Sequence, residues 1–338
     1  MQITPGALDE AKSGHGKIDR SRLPAIPLPR NDPPAETARL WLGPALALVG
    51  AFGFSGKSIF AKLAYAASTS IDAVTVLTFR MLFSLPFLGL MLWMARRSDE
   101  TQQTRIVMSR RDWALMTGLG FIGYFLSSFL DFWGLEYISA SLERLILFLN
   151  PTIVVILSAI IFRKPVTRWT AAALVLSYSG ILLVFAHDFH VMPETRALLI
   201  GGGLVFASAV SYAIYLVGNG GLIARLGAPR FTAYGMGVSS IFVISQFLLI
   251  RPLSSLQQPA AVYWHMAGIA VFSTVLPIWI TNEAIRMIGS SRVALIGTIG
   301  PILTIGLGSM FLGESVTLVQ IAGAVLVIAG VGVVTLKR

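Results

Sequence analysis

The sequence predicts an all-α integral membrane protein. Ten transmembrane helices are expected as two inverted five-helix repeats, with both termini on the cytoplasmic side. Three observations carry this. The chain of 338 residues is 55% hydrophobic and only 12% charged, with a mean hydropathy of +0.76; a soluble domain carries about 25% charged residues. The apolar residues fall in runs of roughly 20, the length that crosses about 30 Å of hydrocarbon. The third observation is that the later part of the chain repeats the earlier part.

The repeat sets the frame, because a duplicated unit dictates the rest of the topology. Phe132–Phe185 and Asn282–Thr335 align without a gap at an offset of 150 positions. Ile138 falls on Ile288, Ser141 on Ser291, Pro151 on Pro301, Val166-Thr167 on Val316-Thr317, and Gly180 on Gly330. Low complexity scatters Leu and Val matches, but it does not set a mid-helix proline, a Val-Thr turn and a late glycine in one register. Nearer the start of each unit the offset drifts to 158, where Gly43 pairs with Gly201.

The runs place ten spans: 40–62, 73–95, 113–135, 139–162, 167–186, 197–217, 230–250, 262–285, 290–312 and 316–335. The internal prolines and glycines are tolerated in membrane helices, where they permit kinks and close packing. With the N-terminus inside, 20 of the 26 Lys and Arg residues fall in cytoplasmic segments and only Lys62, Arg196 and Arg251 outside. Lys57, Arg80 and Arg144 are left within spans. This asymmetry follows the positive-inside rule. Five spans per unit is an odd number, so the second unit crosses with opposite sense, a frequent device of secondary transporters. The domains expected are a disordered cytoplasmic tail at 1–39, polar and proline-bearing without an apolar signal segment, a first unit at 40–186 and a second at 197–336.

These features resemble the EamA repeat of the drug/metabolite transporter superfamily. The resemblance rests on the five-helix duplication, the small residues before Pro151 or Pro301, the apolar run after them, the Val-Thr pair and the glycine-ending helix. Glu314, just before Val316-Thr317, matches the acidic residue usual at that turn, whereas Lys164 at the equivalent place in the first unit departs from it. Arg80 resembles the arginine frequent in the second helix of such units. The resemblance covers residues 40–336. It implies a carrier with a central cavity between the halves, built from the first four helices of each unit, with the fifth helices peripheral. It does not select a substrate, since relatives move amino acids, sugars, nucleotide sugars and other metabolites.

Several chemistries are set aside. There is no cysteine, so disulfides, thiol catalysis and thiolate metal sites are absent. Gly118, Gly120 and Gly123 spell G-x-G-x-x-G, but inside an apolar span with no preceding strand they read as helix packing. No P-loop and no H-E-x-x-H occur, and the four histidines (His15, His187, His190, His265) support neither a metal site nor a proton relay. No cofactor and no metal are expected. The net charge of +10 reflects membrane orientation rather than nucleic-acid binding.

A charge in hydrocarbon costs at least about 2.5–3.5 kcal/mol on insertion scales, so each one needs a reason. Lys57, Arg80, Asp131, Glu143 and Arg144 are expected at similar depth in the outer half of the first unit. In the functional reading Lys57 and Arg80 meet a carboxylate or phosphate, and Asp131 or Glu143 carries a proton or meets an amine. In the structural reading Glu143 pairs with Arg80 or Lys57 and locks the half-bundle. Arg144 follows Glu143 by about 100° of helix, so one of the two faces another helix. Tyr124, Asn150, Tyr212, Trp279 and Asn282 are further substrate-contact candidates, Asn150 because Pro151 beside it frees a backbone carbonyl. Glu283, Pro151 and Pro301 are candidates for coupling or gating, although Glu283 with Arg286 at i,i+3 also reads as a surface pair. The expected partners are a small-molecule substrate and the lipid bilayer, with a homodimer through the small-residue faces of spans five and ten. Three classes stay open: a secondary carrier of the bacterial inner membrane, an intramembrane lipid-modifying enzyme, and a non-transporting receptor or scaffold.

Overall fold

A computed structural model describes residues 33–102, 108–163, 167–191, 195–226, 228–288 and 290–336. The first 32 residues of the expected tail lie outside them. Among the described residues there are fifteen α-helices and no strand. They are α1 (Pro33–Ala67), α2 (Ala73–Gln102), α3 (Arg110–Gly120), α4 (Ser127–Leu135), α5 (Ala140–Leu147), α6 (Asn150–Phe162), α7 (Arg168–Val191), α8 (Thr195–Gly218), α9 (Gly220–Leu226), α10 (Ala228–Ile250), α11 (Ala260–Ala270), α12 (Leu276–Ile288), α13 (Ser290–Gly297), α14 (Gly300–Leu312) and α15 (Leu318–Leu336). Seven helical stretches are long and apolar enough to cross a membrane, with shorter apolar helices at Ala260–Val275, Gly300–Leu312 and Leu318–Val333. Large apolar side chains point outward, Leu249 and Leu318 each being 84% exposed, as suits a surface that meets lipid.

Two differences from the sequence reading have simple causes. Helix α2 runs past residue 95 to Gln102, because Arg, Glu and Gln propagate a helix well once it leaves an apolar segment. The connection expected at 218–229 holds the short helix α9.

The duplication is visible in the backbone. Helix α3 passes into α4 through a π-helical turn at Phe121–Leu126, and α11 passes into α12 through another at Val271–Val275. A π turn accommodates one extra residue and displaces a hydrogen bond; here Ser127 N–H donates to Ile122 O, which also accepts from Ser211 Oγ at 2.7 Å. Helices α5 and α6 are separated by a tight turn in which Leu149 N–H donates to Ile146 O at 3.0 Å, and α13 and α14 by the same turn with Ile299 N–H on Ile296 O at 3.2 Å. Pro151 and Pro301 then open α6 and α14, where a missing N–H is harmless and the fixed φ is already helical. Arg163 (φ 51°) and Gly313 (φ 66°) end these helices in the left-handed conformation, a conformation that glycine adopts freely and arginine rarely does.

The halves interlock by close helix crossings. A Cβ at Gly50 would sit 2.4 Å from Thr281 Oγ1, and one at Gly53 2.4 Å from Pro277 Cγ, so α1 presses directly on α12. A Cβ at Gly134 would sit 2.8 Å from Gly201 O, which brings α4 against α8 in the same way. The first helix of each half thus crosses the third of the other. The small-residue faces of spans five and ten, expected to pair between chains, close on each other within one chain. A Cβ at Gly323 would lie 2.7 Å from Gly180 O, and one at Gly330 2.2 Å from Ser177 Oγ. That surface is therefore occupied by α7 and α15 of the same molecule.

Both faces of the bundle carry contacts across the halves, and on one of them a carboxylate caps a helix of the other half. Arg251 Nε donates to Asp72 Oδ2 at 2.7 Å. Glu314 accepts from Ala140 N at 2.8 Å and from Ser141 Oγ at 2.7 Å. Its carboxylate sits where the first N–H groups of α5 have no helical partner. We call this the capped face. On the opposite face Arg225 holds Asp112 with two hydrogen bonds of 2.7 and 3.0 Å, while Asp112 completes a capping box with Ser109 at the start of α3.

Candidate functional site

The helix interruptions fall at the depth where polar side chains gather. The π turn brings α3 into α4 beside Tyr124, Ser127, Ser128 and Asp131. The α5–α6 turn turns Arg144, Asn150 and Pro151 toward the same space. These side chains line a cavity of about 730 Å³ between the two halves. Its wall continues through Ala47, Ala51, Phe54 and Lys57 on α1, Arg80 on α2, Ser208 and Tyr212 on α8, and Thr232 and Met236 on α10. Ser273, Thr274, Thr281, Val293 and Gly297 complete the second-half side. Thr232 and Val293 lie within about one turn of the helix ends on the face opposite the capped one. The cavity therefore runs from the charged cluster toward that face.

Lys57 organises the cluster. Its ammonium donates to Asp131 Oδ2 and lies 3.1 Å from Glu143 Oε1. The second oxygen of Glu143 accepts from Ser58 Oγ at 2.7 Å. Glu143 is completely buried and stands behind Lys57 rather than in the cavity wall. A buried carboxylate needs such a partner, since an unpaired ion in an apolar interior costs several kcal/mol. Lys57 and the Arg80 guanidinium each lie 5.6 Å from the centre of the Phe132 ring, within cation–π range. Arg80 Nη1 donates to Ser128 Oγ at 3.0 Å. The Nε atoms of Arg80 and Arg144, Asp131 Oδ1 and Asn150 Oδ1 are buried without a hydrogen-bond partner. Just outside the spans, Glu136 accepts from Ala73 N at 2.6 Å; burial pushes its carboxyl up, and this hydrogen bond opposes the shift only in part.

Of the residues singled out from sequence, Lys57, Arg80, Tyr124, Asp131, Asn150, Pro151 and Tyr212 meet at the cavity. Glu143 joins the cluster from behind. Pro301 is buried and opens α14 away from the wall, and Glu283, half-buried on α12, is not part of it either. The side chains of Trp279 and Asn282 lie outside the described residues. Sequence reasoning missed the hydroxyl set of Ser127, Ser128, Ser208, Thr232, Ser273, Thr274 and Thr281, and it missed Phe132 as the platform for two cations. A signal was present: Ser127 and Ser128 stand at i,i+4 and i,i+3 spacing from Asp131, on either side of its face. Arg144 was weighed in the sequence but not selected, and it lines the cavity.

Comparison with known proteins agrees with this architecture. The family model described as "EamA-like transporter family" matches residues 41–186 and again 199–336. The chain is 32% identical over 290 residues to "Uncharacterized transporter YcbK" of Bacillus subtilis, covering 83% of this chain and 88% of that one. It is 34% identical over 218 residues to "Uncharacterized transporter YyaM" of the same organism, covering 63% and 70%. A solved structure titled only "Crystal structure of protein" superposes with a TM-score of 0.58 at 14% identity, covering 87% of this chain and 96% of the other. That likeness concerns the fold.

Proposed function

We infer the function from one premise: the chain belongs to the EamA-like transporter family. It is a multi-pass membrane transporter and not an enzyme. We propose that it is a secondary carrier of a bacterial inner membrane, moving a small polar or amphipathic metabolite, an amino acid or a related compound, by alternating access. In this reading ten spans form two inverted units at 40–186 and 197–336. Both termini are cytoplasmic, and the capped face is external. The substrate meets Lys57, Arg80, Tyr124, Asp131, Asn150 and Tyr212, with Glu143 fixing Lys57 from behind. Pro151 and Pro301 mark the breaks about which helices re-aim, and Glu283 stands on the cytoplasmic side of α12.

The observation that carries the reading is the cavity of about 730 Å³ between the halves, with polar groups at its closed end and cross-half ties on the capped face beyond. A volume of this size suits a small ligand. In this reading the cavity opens inward although Arg225–Asp112 also joins the halves on that side, and outward opening requires the Glu314 and Asp72–Arg251 contacts to part.

The test is uptake and counterflow in proteoliposomes across a panel of amino acids, sugars and nucleotides chosen by thermal-shift screening. Saturable, cargo-specific flux is expected. Binding without flux under any gradient would sink the carrier and favour a receptor. Proton coupling through Asp131, Glu143 or Glu283 is read from the same assay. If neutralising each carboxylate leaves the pH dependence of flux unchanged, these groups do not carry the proton.

A further inference from the structure

We infer that the cargo binds as an organic anion, its acidic group met by Arg80 and Arg144. The inference rests on the carrier reading and narrows it. Five ionisable side chains gather at the closed end of the cavity: Lys57, Arg80, Arg144, Asp131 and Glu143. Both carboxylates are committed to Lys57, Asp131 by a hydrogen bond and Glu143 at 3.1 Å. With both carboxylates ionised that trio carries a net charge of −1 and the two arginines bring the site to +1; a proton on either carboxylate raises the excess further. Neither guanidinium forms an ion pair among the described residues. Arg80 has one hydrogen bond, to a neutral hydroxyl, and both Nε atoms are buried without a partner. Both side chains line the cavity. Asp131 interacts electrostatically with both arginines and Glu143 with Arg144, which places the two guanidiniums around one part of the space without a direct ion pair to either carboxylate.

An under-compensated guanidinium in a low-dielectric interior costs several kcal/mol unless an anion arrives. Guanidinium is also the side chain best shaped for a carboxylate or phosphate. An anion offsets the excess positive charge. A zwitterion leaves the excess charge in place and sets its ammonium in competition with Lys57 for Asp131. A cation adds to the excess. The free Asn150 Oδ1 accepts a hydrogen bond, so it suits a cargo with a neutral N–H or O–H near the acid. Phe54, Leu147 and Phe148 in the wall suit an apolar body. The chemistry is that of an N-acylated amino acid or an amphipathic hydroxy acid.

The experiment uses charge-matched sets on the full chain: phenylalanine and leucine, their amides, their N-acetyl derivatives and the corresponding 2-hydroxy acids. Thermal shift in detergent reads binding, and flux with membrane current in proteoliposomes reads transport. The acids are expected to bind more tightly than the zwitterions, and the amides least. Arg80→Gln and Arg144→Gln should each weaken acid binding about 10- to 100-fold, with Arg144→Lys recovering part of the loss. Equal or tighter binding of the zwitterion or the amide overturns the inference, as does unchanged acid affinity in both glutamine variants or an absence of binding by every set. If the variants do not fold, the order of affinities on the unaltered protein decides it. Flux of zwitterions alone overturns the anion site and leaves the carrier standing; acid binding without flux does the reverse.

Discussion

In the first half, α4, α5 and α6 carry Asp131, Glu143, Arg144 and Asn150; 150 positions on, the second half has Thr281, Val293, Ala294 and Gly300. The backbone devices around them are the same. A π turn joins α3 to α4 and another joins α11 to α12, a tight turn precedes the proline that opens α6 or α14, and both of these helices end in a left-handed residue. The difference shows which properties each half needs for itself and which the molecule needs once. Every half must pack its own helices, so the bends recur. The cavity between them is shared, and its ions stand together in one half while the other supplies hydroxyls and close-packing surfaces.

The largest expected effect tests that division. Lys57→Met strands two buried carboxylates, and stability in detergent should fall by about 3–5 kcal/mol, read by chemical denaturation. Thr281→Val, at the place corresponding to Asp131, should cost about 1 kcal/mol or less. Equal losses at the two sites would break the comparison. Where the halves are alike, the costs should be alike. Gly180→Ala and Gly323→Ala each push a methyl into the opposite backbone, with gaps of 2.6 and 2.7 Å to the facing carbonyl. Each should cost about 1–3 kcal/mol in the same denaturation assay. Gly306→Ala, which meets open space, should be neutral or stabilising by up to about 1 kcal/mol.

A smaller asymmetry lies at the capped face. Glu314→Gln weakens the cap on α5 and should cost about 1 kcal/mol. Because the chain has no cysteine, a single Ser139→Cys reports on the opening of that face, and its thiol should be labelled faster in the Glu314→Gln background. Unchanged labelling would show that the cap does not hold this face shut. The smallest effect concerns Asp72. Burial pushes its carboxyl up, but hydrogen bonds from Thr75 and Arg251 outweigh this and hold it below the ordinary value. A depressed folded-state pKa contributes stability that is fully present above the unfolded value, about 3.9, and is lost as pH falls through the folded one. Arg251 is 45% exposed, so the contribution is under about 1 kcal/mol. Arg251→Gln should flatten the acid limb of the stability profile by no more than that.

The all-helical membrane class and the two-unit repeat were legible because membrane helices advertise themselves by length and hydropathy, and because Pro151 and Pro301 fix the repeat register. The π turns were not, since neither Phe121–Leu126 nor Val271–Val275 contains a residue that signals one. They arise from packing, as in the hydrogen bond from Ser211 to the Ile122 carbonyl. Ions at membrane depth stood out by their cost, so Lys57, Arg80, Asp131 and Glu143 could be named in advance. Their pairing could not. Whether Glu143 met Arg80 or Lys57 depended on side-chain direction and helix rotation. The hydroxyl lining was hard to see for a related reason: a serine in a membrane helix also bonds its own backbone, as Ser240 does with Met236.

The glycine crossings between α1 and α12 and between α4 and α8 have a mechanical consequence. At the α4–α8 crossing Gly134 faces the Gly201 carbonyl, whereas at the α1–α12 crossing Gly50 and Gly53 receive the Thr281 and Pro277 side chains, so both pairs lie close but only the first sets backbone against backbone. Under the proposed alternating access, these two close crossings are where each half pivots on the other. A displacement of a few ångströms at one end is then carried to the far end of the same helix.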